Sequence, residues 1–149
     1  MTSMLESEIS TLCVMRELEI KAEPEAVFKA ILAEVGPEGQ MPDGSPFPMV
    51  LEAWPGGRWF RDLGEGRGHW WGHVQVIKPP TLLEISGPMF MSYPAVSHVQ
   101  YRVSSMPGGA MLKLTHRAMG LITAEHREGV HTGWDFGLER VRQIAEMRT

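Results

Sequence analysis

The sequence predicts a single α+β domain in which consecutive antiparallel strands are followed by one long C-terminal helix. Three observations carry this. Turn signals recur about every ten residues between positions 49 and 119, separating stretches of period-two alternation. Segment 123–148 has no proline and repeats its apolar residues at helical spacing. No internal repeat or linker divides the 149 residues, a length that suits one domain hiding roughly 68–70% of its unfolded surface. Strands first and a helix last mean α+β, not α/β.

Residues 1–11 read as a flexible lead-in and 12–149 as the domain. From Leu12 to Ala22 the pattern alternates, with Leu12, Val14, Leu18 and Ile20 on one parity, Arg16 breaking that row, and Glu17 and Glu19 on the other. This is a strand with one wet face. Pro24 opens a short helix, where its missing N–H costs nothing, and Gly36-Pro37 ends it. Val27, Ala30 and Ile31 give that helix its apolar spacing. Prolines 37, 42, 46 and 48 forbid regular structure across 36–48, and a loop of that length in a compact domain is usually functional or mobile.

Strands are then expected over Met49–Trp54, Arg58–Leu63, His69–Lys78, Leu82–Gly87, Val96–Ser104 and Ala110–Met119. The last helix carries Val130, Trp134, Leu138, Val141 and Ala145 on its apolar face. Gly129, Gly133 and Gly137 form a small stripe on it, each weakening the helix by about 1 kcal/mol relative to Ala. Such a stripe lets the sheet or a ligand come close; packing on the sheet is the simpler reason.

Composition excludes several classes. Hydrophobic residues at 43% and charged residues at 21% rule out a disordered tail, a coiled coil and a collagen-like repeat. The single cysteine, Cys13, excludes an internal disulfide and any multi-thiolate metal site, and reads as a small strand residue. A net charge of -4 with scattered basic residues argues against nucleic acid. The N-terminus does not read as a signal peptide, and no run of about 18 apolar residues spans a membrane. A cytoplasmic location is expected.

Several segments together resemble a known superfamily. They are ELEIKAEPEAVFKAIL (17–32), the Gly-Gly-Arg turn at 56–58, WGHVQVIKPPTLLEISG (71–87), LKLTHRAMG (112–120) and GWDFGLERV (133–141). In order and spacing they resemble the SRPBCC superfamily, also called START-like or birch-pollen-allergen-like. Within it they look most like the branch related to the C-terminal domain of the activator of the heat-shock-protein-90 ATPase. The resemblance implies a helix-grip fold, a curved antiparallel sheet wrapped around a long C-terminal helix. It also admits a chaperone partner. Where relatives often hold a short second helix, this chain has the loop 36–48.

Strand parity sorts the candidate site. Trp70, Gly72, Val74 and Val76 should face the helix, with Leu83, Ile85 and Gly87 beside them. Val99, Tyr101 and Val103 should oppose Leu112, Leu114 and His116, pairing Tyr101 with Leu114 and Val99 with His116. Tyr101 and His116 are then inward polar groups, either satisfied by the protein or orienting a ligand. Trp70, Met89, Phe90 and Trp134 could line or cap a cavity, as adaptable and aromatic side chains do.

The expected function is binding of a small hydrophobic molecule between sheet and helix, with Trp70, Ile85, Met89, Phe90, Tyr101, Leu114, His116, Val130 and Trp134 as cavity candidates. Two alternatives stand beside it: a cyclase- or hydrolase-like enzyme working through His116, and a chaperone-modulating interaction module. No catalytic motif and no cofactor is recognised. His69 and His73 share a face but lie about 13 Å apart, too far to chelate one ion, so no metal site is expected. Exposed sheet edges allow a homodimer.

Overall fold

The computed structural model describes residues 8–148. The elements are β1 (Ser10–Ile20), α1 (Pro24–Glu34), β2 (Val50–Leu51), β3 (Arg58–Gly64), β4 (Arg67–Lys78), β5 (Leu82–Gly87), β6 (Ala95–Met106), β7 (Gly109–Gly120) and α2 (Ala124–Met147). The seven strands form one antiparallel sheet in the order β1-β7-β6-β5-β4-β3-β2. The sheet is curved, with α1 and the long α2 on its inner face, the helix-grip arrangement.

β1 begins two residues earlier than expected. Pairing with β7 continues to Ser10↔Gly120, and the Arg127 guanidinium on α2 holds Thr11 O at 2.6 Å and Ser10 Oγ at 3.1 Å. Residues 1–7 of the expected lead-in lie outside the described residues. Arg16, which breaks the inward row of β1, reaches across to Asp135 Oδ1 at 2.6 Å and so ties the strand to α2. The strand expected over Met49–Trp54 shrinks to two residues. After Leu51 the chain turns back: the Glu52 carboxylate accepts from the Arg58 backbone N–H at 2.8 Å and from its guanidinium, closing the Pro55-Gly56-Gly57 turn.

The register between β6 and β7 is the expected one, with Tyr101↔Leu114 and Val99↔His116. Val99, Tyr101, Val103, Leu112, Leu114 and His116 all face the helices and are buried. Leu83 and Ile85 join them from β5. In β4 Gly72 and Val74 face inward as expected, but the parity departs from expectation on either side of them. Trp59 pairs with Gly72 but Phe60 pairs with Trp70, so Trp71 is an inserted residue, a β-bulge. Trp71 turns into the core at 9% exposure and Trp70 turns out at 47%. Gly72 enables this. Its backbone packs on Gly87, and a Cβ at 72 would stand 2.6 Å from Ser86 O. A second shift at Gln75 pairs Val76 with Glu84 on the outer face, and Ile77 takes the inward place opposite Leu83.

Candidate functional site

A cavity of about 380 Å³ opens between the helices, the strand-poor end of the sheet and the Pro-rich loop. Each wall comes from a different element. The end of α1 supplies Glu34, and Val35 follows as its C-cap. The loop supplies Gln40, Met41, Pro42 and Phe47, and Met49 follows it. Trp59 on β3 and Phe90 after β5 complete the sheet side. α2 contributes His126, Gly129, Val130, Gly133, Trp134, Phe136 and Gly137. The loop reaches the site because it folds back on α1's end: Phe47 N–H donates to Gly39 O at 2.8 Å and Met49 N–H to Gly36 O at 2.9 Å.

The aromatic wall is held in place. Trp59 Nε1–H donates to Val35 O at 2.7 Å, fixing its ring beside the end of α1. Trp134 Nε1–H donates to His116 Nδ1 at 2.9 Å. That bond decides the tautomer, since an indole N–H only donates. His116 carries its proton on Nε2, which lies 3.0 Å from Ser97 Oγ. Burial pulls the His116 pKa down to about 4, with the nearby His131 and His98 adding to it, so the ring is neutral at pH 7. Phe90 stands edge-on to Trp59 at 5.6 Å and to Trp134 at 6.4 Å. It is placed there by Met89, whose φ of 58° is a left-handed conformation rare for a bulky side chain. Met89 itself goes into the core, its N–H donating to Trp71 O at 2.8 Å.

Of the nine residues expected from sequence, Phe90, Val130 and Trp134 reach the cavity wall. Ile85, Met89 and Leu114 are core residues beneath it. Tyr101 and His116 sit behind Trp134, with ring centroids 6.0 and 5.7 Å from it. Both ring nitrogens of His116 are engaged by protein groups, so its direct role is to hold Trp134. Trp70 is on the outer face, tilted against His73 at 5.1 Å, and the bulge at Trp71 is the reason. The glycine stripe does not pack on the sheet. A Cβ at Gly129 or Gly133 would meet nothing within 4 Å, and one at Gly137 would meet Glu34 Oε1 at 3.1 Å.

Sequence reasoning missed Glu34. Its signal was present: 34 follows 27, 30 and 31 at the spacing that puts all four on one face of α1. Glu34 is half-buried, and burial raises its pKa to about 7 against the opposing pull of Arg140. Tyr101, fully buried, has its phenol pushed well up, first by burial and then by the Glu34 charge. At the other end, His126 is joined by Nδ1 to the Tyr93 hydroxyl, which also lies 2.9 Å from Met91 Sδ.

The architecture has many solved counterparts. An uncharacterized protein from Rhizobium leguminosarum superposes with a TM-score of 0.72 at 18% identity, covering 94% of this chain and 97% of the other. Ara h 8.0201 gives 0.67 at 11% identity, covering 93% and 99%. The chain shares the helix-grip fold with these proteins. The di-domain aromatase/cyclase StfQ of steffimycin biosynthesis shares this helix-grip fold at 0.63 and 10% identity, over 93% of this chain and 51% of that one. No family model matches the sequence, and neither does any curated protein. Among the described residues no helix is long and apolar enough to cross a membrane.

Proposed function

We propose that this helix-grip chain binds a small, mostly apolar molecule in the cavity between α1, α2 and the Pro-rich loop. The observation that carries the reading is the cavity itself: about 380 Å³, walled by aromatic and aliphatic side chains with Glu34, Gln40 and His126 as its few polar groups. That combination of volume, apolar wall and sparse polar groups is what small-molecule sites share. Trp59 and Trp134, each fixed by a hydrogen bond, give a preformed surface, so little ordering entropy opposes binding. A cytoplasmic location belongs to the same reading. The co-chaperone branch and a chaperone partner rest on sequence resemblance alone.

Native mass spectrometry of freshly purified protein, before and after mild organic extraction, tests this. A retained small molecule released by extraction is the expected result. An apo mass, together with no uptake of added apolar molecules, would count against it.

One observation favours a second reading, acid–base catalysis in the same cavity. Glu34, near 7, can both give and take a proton at neutral pH, as a general acid or base must. StfQ is named as an aromatase/cyclase. Conversion of the released molecule to a product of different mass or chromatographic retention, lost in Glu34→Gln, would establish catalysis.

A further inference from the structure

The cavity contains one acid, and that acid is unmet. Among the described residues the Glu34 carboxyl has no hydrogen bond and no ion pair. Arg140 acts on it only through its charge, its own Nε buried without a partner and its terminal nitrogen 3.1 Å from Glu38 O. A carboxyl half taken out of water and without a protein partner is costly to ionise, so its place on a cavity wall points to a partner that enters the cavity.

Two further features set the sign of that partner. Glu34 is the last residue of α1, whose final turn holds no basic side chain. A helix C-terminus carries about half a negative charge, which disfavours an acid and favours a cation. The surrounding wall is aromatic, with Trp59, Phe90, Trp134 and Phe136 all lining the same space. Aromatic faces are negative and attract weakly hydrated cations. The wall already shows this chemistry, since the Arg61 guanidinium stands 3.7 Å from the centre of the Phe47 ring, which also lines the cavity.

We infer that the cavity selects an apolar molecule bearing one ammonium head group, seated against Glu34 at the end of α1 and among the rings of Trp59, Phe90, Trp134 and Phe136. This rests on the binding role proposed above and names the ligand class. A quaternary or tertiary ammonium suits the site better than a compact primary amine, because it loses less hydration on entering an aromatic wall.

The inference carries a pH dependence. Arg140 from α2 and Tyr101 from β6 face Glu34; Glu38 and Arg148 lie beyond Arg140; His126 on α2 and Arg61 on β3 flank the rest of the cavity. With its pKa near 7, Glu34 must shed its proton for an ammonium ligand, so affinity rises with pH. A neutral ligand that accepts a hydrogen bond from the protonated carboxyl gives the opposite slope.

Titration calorimetry with octyltrimethylammonium and with octanol, on wild type and Glu34→Gln, at about pH 6 and about pH 8, tests it. Wild type should bind the ammonium at least about tenfold tighter than the alcohol at the higher pH. Its ammonium affinity should fall by about tenfold at the lower pH as Glu34 takes up its proton. In Glu34→Gln the ratio of the two affinities should close to within about twofold and the pH dependence should vanish. Octanol binding with no ammonium preference overturns the inference and leaves the cavity reading standing. An undiminished preference or a pH slope that survives in Glu34→Gln places the effect outside the Glu34 carboxyl and also overturns it. Binding of neither molecule overturns both readings.

Discussion

His116 and Glu34 are both strongly perturbed titratable groups of the interior, and they are built in opposite ways. His116 lies deep, with Trp134 on one nitrogen and Ser97 on the other. Glu34 lies at the end of α1 on a cavity wall, with no hydrogen bond among the described residues. Burial moves both pKa values toward the neutral form, His116 down to about 4 and Glu34 up to about 7. The lesson is that perturbation alone does not locate a site. A satisfied polar group stabilises its neighbours; an unsatisfied one facing open volume awaits a partner.

The largest expected effect breaks the satisfied cluster. His116→Ala removes a buried ring and leaves the Trp134 N–H without an acceptor. A loss of about 3 kcal/mol in denaturant unfolding is expected, with a change in Trp fluorescence as Trp134 is released. A loss below about 1 kcal/mol would mean that the cluster is not holding the wall.

The pH dependence of stability sets the two groups against each other. The His116 contribution is whole above its ordinary 6.5 and fades as pH falls through about 4. The Glu34 contribution is whole below its ordinary 4.5 and fades as pH rises through about 7. Each amounts to as much as about 3 kcal/mol, and the two windows overlap with opposite slopes. Wild type should therefore show a shallow profile across the overlap. Glu34→Gln should expose the His116 slope, losing stability steadily as the pH falls below 6.5. An unchanged profile would remove Glu34 from the account.

The bulge offers a smaller contrast. Trp71→Ala should cost about 3 kcal/mol and Trp70→Ala under about 1, although the two are adjacent in sequence. Equal effects would contradict the inserted residue at 71. The smallest effects come from the glycine stripe. Gly129→Ala and Gly133→Ala put a methyl into open space and should raise stability by about 0.5–1 kcal/mol each through helix propensity. Gly137→Ala should gain less, because its methyl meets the Glu34 carboxyl at 3.1 Å. Thermal unfolding of the three variants orders them directly.

Most of the frame was legible in the sequence. The MPGG turn pins β6 against β7, so Val99↔His116 followed from counting alone, and Pro24 and Gly36 marked the bounds of α1. The face of β4 was legible only in its middle, where Gly72 and Val74 turn inward as expected. Bulges at Trp71 and Gln75 reverse the parity on either side, and the only local hint is Gly72, needed for the backbone approach to Gly87. The candidate site was legible in part. Phe90, Val130 and Trp134 follow from aromatic and helical pattern. Glu34 could have been found, since it falls in phase with Val27 and Ile31. The loop residues Met41, Pro42 and Phe47 could not, because prolines show where regular structure stops and not which surface the loop then covers.

If the proposed binding role holds, the volume beside the Gly129–Gly133 stretch of α2 is a binding site and not a packing defect. Octanol titration of wild type and Gly133→Leu tests it most directly, because a leucine there enters the cavity without meeting any neighbour at its Cβ. Saturable binding to wild type, lost in Gly133→Leu while the thermal midpoint is kept or raised, is the expected result. Equal binding to both proteins would contradict it.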